Sequence, residues 1–222
     1  MIDKDVEYRY QAAGFTNPSV QKVLEPLLID IVRGIPGVKR ACDLGCGNGR
    51  FALELASHVE EVVGVDSSAS GIEIARRSCP PERRVSFFCA DIDDGLPAIL
   101  LNAGGAFDAL ISADVIEHLY RPRALIEVAW RVLKPGGHLL VCTPYHGYLK
   151  NLAISLLGRW DAHHGVDWDG GHIKFFSVRT LADAVAQGGF RIDGFRFFGR
   201  APYLWKNMIC PASKIEWAGG SR

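Results

Sequence analysis

The sequence predicts one α/β domain built on a doubly wound, mostly parallel β-sheet. Short apolar runs alternate with stretches of helical periodicity, and this alternation is typical of parallel sheets covered by helices. A glycine-rich loop, residues 45–49, stands where the first strand-like run meets a helix. Near the end of the chain, two strand-like runs follow each other without a helix between them. A short connection permits only antiparallel pairing, so an antiparallel hairpin should close one edge of the sheet.

The elements follow in order from the spacing of the apolar residues. An opening helix over 19–33 carries the apolar stripe Val20, Val23, Leu24, Leu27, Leu28 and Ile31. The sequence predicts strands over 38–44, 61–65, 84–90, 107–112 and 138–143, and late strands over 190–198 and about 203–210. Further helices are predicted over 50–57, 69–78, 120–133 and 177–187. KPGG at 134–137 should end the third of these helices, and Ser177 should be the N-cap of the last.

We divide this single domain, residues 1–222, into four parts. They are an N-terminal helical cap over 1–37, a cofactor-binding core over 38–143, a substrate or lid insertion over 144–176, and a sheet closure over 177–222.

The composition is that of an ordinary soluble globular protein with a full core. The chain has 222 residues, of which 48% are apolar and 23% charged, and its formal net charge is zero. A balanced charge argues against a broad nucleic-acid-binding surface. No apolar run approaches the ~20 residues that cross a bilayer, and the N-terminus is too polar for a signal peptide. Six scattered cysteines without a CxxC pair fit reduced thiols, so we expect a cytoplasmic protein.

The glycine loop and three acids indicate a nucleotide-like ligand. The loop reads DLGCGNG over 43–49, and Asp66 ends the next strand about twenty residues on, where such folds hold ribose hydroxyls. Dinucleotide folds use GxGxxG to bring pyrophosphate to a helix N-terminus, whereas Asp43 would repel pyrophosphate. This carboxylate suits a ligand carrying an ammonium and a sulfonium. Asp91, after the third strand, is placed to accept from an adenine amino group, or else starts a loop or caps a helix.

Five motifs in order carry a family resemblance. DLGCGNG, VVGVDSS, ADIDDGLP, FDALISADVIEHL and LKPGGHLLVCTP resemble the class I S-adenosylmethionine-dependent methyltransferases over roughly residues 38–144. ADVIEHL and the later HIKFFSVRTL are similar to the ubiquinone-biosynthesis O-methyltransferase subgroup and its uncharacterised relatives. The resemblance implies a Rossmann-like, three-layer fold with seven strands in the order 3-2-1-4-5-7-6, the last antiparallel, and S-adenosylmethionine as cofactor.

The resemblance also implies a set of cofactor-binding residues. Gly45 and Gly47 would line the methionine part, Asp66 would hold the ribose, and Asp43 would lie near the amino group. The remaining implied contacts are Cys46 in the loop, Ser67 beside the ribose acid, Asp91 and Ile92 around the adenine, and Ala113 after the fourth strand. In the ubiquinone subgroup, positions matching Asp114, Glu117 and His118 have been linked to a divalent metal. Since Glu-His occurs here in relatives without metal, we expect no metal site.

Transfer of a methyl group to a hydroxyl requires a group that takes the proton. A general base typically contributes ~10²–10⁴-fold to the rate, and effective molarity about 7–11 kcal/mol. Our candidates for the catalytic base are His118, His146 and His172. Each histidine has a structural alternative, and His118 can equally contact the substrate.

The insertion should supply the acceptor side of the pocket. An amphipathic helix is predicted from the stripe Leu149, Leu152, Ala153, Leu156, Leu157 and Trp160. It can pack on the core, cover the acceptor pocket, form a dimer face or touch a membrane surface weakly. The segment DAHHGVDWDGGH over 161–172 lacks the spacings of closed zinc sites and favours an ordered polar loop. Candidates for the pocket walls are Tyr145, His146, His164, Trp168 and His172.

The sequence therefore predicts an S-adenosylmethionine-dependent methyltransferase that acts on a small molecule, most readily on oxygen. Alternatives are N- or C-methylation of a small molecule, methylation of a glycan or natural-product intermediate, and a non-catalytic cofactor-binding scaffold. A dehydrogenase fits poorly because of the loop spacing and Asp43. As partners we expect the acceptor, no nucleic acid, no transmembrane segment, and a monomer or homodimer.

Overall fold

The chain folds around one mixed β-sheet flanked by helices on both faces. The computed structural model describes residues 18–93, 100, 107–164 and 171–215, with side chains from residue 22 onward. The strand order is β3-β2-β1-β4-β5-β8-β6, and β7 also pairs with β8. Strands β1 to β5 are parallel to one another, and β8 is antiparallel to β5, β6 and β7.

The elements have the following bounds. The strands are β1 Arg40–Leu44, β2 Glu61–Asp66, β3 Val85–Cys89, β4 Phe107–Ala113, β5 Leu133–Pro144, β6 Phe190–Ile192, β7 Arg196–Phe198 and β8 Asn207–Lys214. The helices are α1 Pro18–Arg33, α2 Arg50–Leu55, α3 Ala69–Ser78, α4 Pro122–Val132, α5 Tyr148–Leu156, α6 Trp160–His164 and α7 Val178–Gln187, with a 3₁₀ turn at Ile116–His118.

Two apolar clusters form the layers on either side of the sheet. Side chains of α1, α2 and α3 pack with one face of the sheet, and side chains of α4 and α7 pack with the other. Strands β1, β2 and β4 are buried along most of their length because helices cover both of their faces. None of the helices in the described ranges is both long and apolar enough to span a membrane.

The predicted fold class is confirmed, including the parallel core and the antiparallel closure. The spatial order β3-β2-β1-β4-β5-β8-β6 matches the implied order 3-2-1-4-5-7-6. In this comparison the predicted 190–198 strand, which contains β6, is the sixth strand, and β8 is the seventh. Ser177 caps α7 through a capping box with Thr180, as predicted. The order reverses between β1 and β4, and in open α/β sheets ligands bind beyond the strand ends at such a point.

Several element boundaries in the sequence prediction are wrong. The predicted 190–198 strand is two short strands separated by residues 193–195, and the last strand is 207–214 rather than about 203–210. Strand β5 starts at Leu133, because Leu133 pairs with Phe107 before a register irregularity moves the pairing to His138. The residues of KPGG thus end the helix and also belong to the next strand.

The predicted apolar stripe is partly correct for α1, where Leu24 and Leu28 are buried, and incorrect for α5. In α1, Val23 is exposed, whereas Ile29 and Val32 are buried. The side chain of Val20 lies outside the described residues. In α5, the helix turns Lys150 and Ile154 inward and leaves most of its predicted stripe exposed.

Candidate functional site

The loop after β1 is a tight turn that needs glycine at alternate positions. Gly45, Gly47 and Gly49 have φ values of 88°, 54° and 77°, which L side chains rarely adopt. A Cβ on Gly45 would overlap the side chain of Val115, which follows β4. The N–H groups of Gly45 and Cys46 donate to the Val65 carbonyl at 2.7 and 3.0 Å. The loop is therefore held against both neighbouring strands and leaves no room for larger residues.

Asp66 ties the loop to the end of β2. Its carboxylate accepts the Gly47 N–H at 2.7 Å and the Ser68 N–H at 2.8 Å. Burial raises the pKa of Asp66, and these two backbone donors oppose the rise. A carboxylate offers about four lone-pair sites, so two donors leave acceptor capacity for further hydroxyls. Asp66 thus organises the loop and can still bind a diol.

Asp43 is a buried acid without a matching cation among the described residues. Its side chain is 2% exposed, and its Oδ2 has no hydrogen-bond partner among them. Burial, the charge of Asp66 and the charge of Glu25 raise the pKa of Asp43 to about 8. Unpaired buried carboxylates are costly, so the position calls for a positively charged ligand group.

The other predicted cofactor residues lie at adjoining strand ends. Ile92 is buried, and Ser67 and Asp91 are exposed. The Oδ1 of Asp91 accepts the Asp93 N–H at 2.8 Å, which is the loop-start role considered as its alternative. Ala113 is the last residue of β4. The contacts of these residues to a cofactor stay a prediction.

Asp114 follows β4 in a strained conformation. Its φ is 55°, which is uncommon for a residue other than glycine and is a feature of functional sites. Its N–H donates to the Cys142 carbonyl at 3.0 Å, and its Oδ1 accepts from Asn207 Nδ2 at 2.7 Å. Burial raises the pKa of Asp114 to about 6. Strands β4, β5 and β8 together hold this carboxyl group.

Glu117 lies beside two imidazoles at the same sheet edge. Its Oε2 accepts from Thr143 Oγ1 at 2.9 Å, and its buried Oε1 has no hydrogen-bond partner among the described residues. Burial and the nearby Asp114 raise the pKa of Glu117 well above its usual range. His172 Nε2 is 4.0 Å from Glu117 Oε1, and the rings of His118 and His172 meet edge-on at 4.8 Å.

The same three residues are the described side chains that could hold a metal. One ligand atom from each of Glu117, His118 and His172 lies within 4.8 Å of the others. Asp114 is not part of this set, because its carboxylate binds Asn207 instead. The ligand set implied by the ubiquinone subgroup is therefore only partly brought together.

The third predicted base, His146, lines a neighbouring cavity of about 290 Å³. Its ring stacks on His164 at 5.6 Å and meets Phe175 edge-on at 5.0 Å. Burial and the charge of Lys150 lower its pKa to about 4. His164 and His172, two further candidates for the pocket walls, line the same cavity. Tyr145 packs instead on Phe197 and Trp205, and Trp168 lies outside the described residues.

The two insertion helices do not pack their leucines on the core. Leu149, Leu152, Leu156, Leu157 and Trp160 are all exposed, with Leu156 at 77%. Lys150 is buried at 3% exposure, and its Nζ donates to the Tyr145 carbonyl at 2.6 Å. The segment is helical as predicted, but its apolar side is exposed rather than packed on the core.

Sequence reasoning missed several polar groups around the two acids and the cavity. Thr143, Asn207 and Lys150 carry the hydrogen bonds described above, and Arg200 and Lys206 line the cavity with His146. Thr143 ends a predicted strand next to the predicted site, which is a weak signal. The folding of the last three strands brings Asn207 and Arg200 to the site. No local sequence pattern therefore identifies these two residues.

The fold and the acid-flanked glycine loop define a protein of the S-adenosylmethionine-binding methyltransferase class. Residues 42–141 match a family model described as a methyltransferase domain. Together with the fold, this match supports a class I S-adenosylmethionine-dependent methyltransferase, as the resemblance predicted. The structural observations fit the cofactor of this class, because the orphaned Asp43 oxygen suits its ammonium and Asp66 suits its ribose.

Curated relatives support this class. The chain is 29% identical over 175 residues to a ubiquinone biosynthesis O-methyltransferase of Ruegeria pomeroyi, covering 77% of this chain and 67% of the relative. The corresponding protein of Cereibacter sphaeroides is 30% identical over 155 residues, covering 68% and 59%. The chain thus spans about three fifths to two thirds of the length of these relatives.

A solved structure shows the same fold. The N-methyltransferase NodS from Bradyrhizobium japonicum, in complex with S-adenosylhomocysteine, has a TM-score of 0.65 at 17% identity, with 88% of each chain covered.

Proposed function

We propose that this chain transfers the methyl group of S-adenosylmethionine to an oxygen of a small-molecule acceptor. The single observation that carries the proposal is the pair His118 and His172 beside Glu117, at the strand end next to the cavity. Methylation of a hydroxyl releases a proton, and a neutral imidazole next to the acceptor can take it. The similarity to ubiquinone biosynthesis O-methyltransferases supports the same acceptor atom.

One group of residues binds the cofactor, and a second group acts on the acceptor. Asp43, Asp66 and the glycine loop bind and orient the cofactor, which when bound supplies an activated methyl group on a sulfonium. His118 Nδ1 lies 3.2 Å from the Gly171 carbonyl, and since a carbonyl only accepts, this nitrogen carries the proton. Its Nε2 is then the basic atom. Burial and His118 lower the pKa of His172 to about 4, which keeps that ring neutral at pH 7.

Histidine variants test this proposal. His118→Asn and His172→Asn should each lower kcat by roughly 10²-fold or more while cofactor affinity stays within a few-fold. His58→Asn is the matched control, because His58 follows α2 at a distance from this cluster. A screen of candidate acceptors, with hydroxyl and amine compounds in parallel, measures the release of S-adenosylhomocysteine. Turnover confined to amines would contradict oxygen as the acceptor atom, and cofactor binding without any turnover would favour the scaffold.

A further inference from the structure

The cavity next to the histidine pair has an unbalanced positive lining. Lys150, Arg200 and Lys206 face it together with His146, His163 and His172, and its described lining holds no carboxylate. Among the described residues none of the three cations forms an ion pair; Lys150 Nζ donates to a neutral carbonyl at 2.6 Å. Bringing cations together in a partly dry site is costly unless an anion compensates them.

The fold buries one of these cations and fixes the backbone of the other two. Lys150 is buried at 3% exposure, which is rare for an unpaired lysine. Arg200 has a φ of 64°, a strained backbone conformation, in the turn between β7 and β8. In the same turn, Lys206 N–H donates to the Phe198 carbonyl at 3.0 Å, and the Lys206 carbonyl accepts from Tyr145 N–H at 2.9 Å.

The neighbouring histidine rings add N–H groups that can donate hydrogen bonds to a ligand in the cavity. Burial and the charge of Lys150 lower the pKa values of His146 and His163 to about 4, so these rings are neutral near pH 7. Burial and the charge of Arg200 lower the pKa of Lys150 to about 8. The buried Nε2 of His164 has no hydrogen-bond partner among the described residues. Each of these features is relieved when oxygen atoms of an anion enter the cavity.

A second cavity extends the first. It measures about 460 Å³, and Lys150, His163 and Arg200 line both cavities. The rest of its described lining is mainly apolar, with Ala153, Ile154 and Leu157 from the insertion. The cations therefore stand between a polar space next to the proposed base and an apolar space under α5.

We propose that this cavity binds a carboxylate or phosphate group of the methyl acceptor, so that the acceptor is an acidic hydroxyl compound. This inference rests on the proposed function. Lys150 and Arg200 would hold the acidic group, while His172, which lines the same cavity, stands toward the reacting hydroxyl. Such an anchor aligns the acceptor for in-line transfer, which is the main task of an enzyme of this class.

Anion binding is measured directly, without any turnover. The full chain, saturated with S-adenosylhomocysteine, is titrated with inorganic phosphate, phenyl phosphate, benzoate and neutral benzyl alcohol. Histidine ring signals report the cavity by nuclear magnetic resonance. We expect the anions, and not benzyl alcohol, to shift the signals of His146, His163 and His164. The stronger of phenyl phosphate and benzoate identifies the acidic group.

Two variants and a control decide the assignment. Lys150→Met and Arg200→Gln should each weaken anion binding roughly 10- to 100-fold. Lys22→Met, on exposed α1 surface, should leave it unchanged. Because Arg200 is exposed, its variant folds even if the Lys150 variant does not. Wild-type protein whose histidine signals ignore all the anions, as expected if the chain's own carboxylates fill the cavity, overturns the proposal. So does anion binding that Arg200→Gln leaves intact.

A transfer assay separates this proposal from the proposed function. The acceptor pair is 3-hydroxybenzoate and its neutral methyl ester. A preference for the acid that Arg200→Gln abolishes supports both proposals. Anion binding in the cavity without methylation of any hydroxyl compound supports the anion site and contradicts oxygen transfer. Methylation of the acid and the ester with equal kcat/KM contradicts the anion site and leaves oxygen transfer standing.

Discussion

Replacing Asp43 with asparagine should stabilise the cofactor-free protein and weaken its cofactor binding. Asp43 is buried, its Oδ2 is unpaired, and burial, Asp66 and Glu25 raise its pKa to about 8. The folded state therefore holds a proton that the unfolded chain releases near pH ~4. Stability should fall as pH rises from about 4 to about 8, because the folded state binds more protons in that window. Asp43→Asn removes this loss.

The magnitude follows from the pKa difference. Each pH unit between the two pKa values corresponds to about 1.4 kcal/mol, which sets an upper bound of about 6 kcal/mol at pH 8. The asparagine amide leaves one buried donor unmatched, at a cost of about 1–3 kcal/mol. We therefore expect a net gain of up to roughly 3–5 kcal/mol in the free energy of unfolding near pH 8, and a net loss of about 1–3 kcal/mol near pH 4.

Urea unfolding across pH, with and without S-adenosylmethionine, checks both halves of this prediction. Cofactor affinity of the variant should fall roughly 10- to 100-fold, because the ammonium loses a charged partner. Asp108→Asn is the opposite control: burial raises the pKa of Asp108, but Lys134 and two backbone donors outweigh it and hold the pKa low. That variant should lose stability. A pH profile of Asp43→Asn that runs parallel to the wild type would refute the reasoning.

Three further predictions concern the cofactor, the insertion and metal. Asp66→Ala should lower S-adenosylmethionine affinity roughly 10- to 100-fold in calorimetry, and an unchanged affinity would remove Asp66 from the site. Replacing 148–168 with a short glycine linker should abolish turnover while cofactor affinity, by the same titration, stays within a few-fold; near wild-type turnover would rule out a lid. Exhaustive chelation should leave activity intact despite the Glu117 cluster, since a sulfonium methyl needs no Lewis acid. Activity that magnesium or zinc must restore would contradict this.

The cofactor side of the site was predictable because its signals are local. A strand, a glycine turn and an acid at the next strand end lie within 24 residues, from Asp43 to Asp66, and parallel pairing of β1 and β2 brings them together. Their hydrogen bonds, such as Asp66 to the Gly47 N–H, join neighbours in this unit. The capping box at Ser177 is local in the same sense, so its position was also correct.

The acceptor side depends on contacts between distant parts of the chain. Asn207 donates a hydrogen bond to Asp114, 93 residues away in the sequence, and no local sequence pattern around either residue predicts this contact. On α5, hydrophobic periodicity identified the helix and its two sides but placed the wrong side inward. Periodicity measures which residues share a face, and the environment of that face is decided elsewhere.

The glycine loop is completed from both halves of the polypeptide. Ser112 Oγ donates to the Leu44 carbonyl at 2.9 Å across 68 residues, and Val115 fills the space that a side chain at position 45 would need. A fragment ending after β3 would contain Asp43 and Asp66 and still lack this support. An intact glycine loop therefore requires β4 beside β1. Cleavage between β3 and β4 would yield two incompetent pieces that regain a cleft only by reassociating.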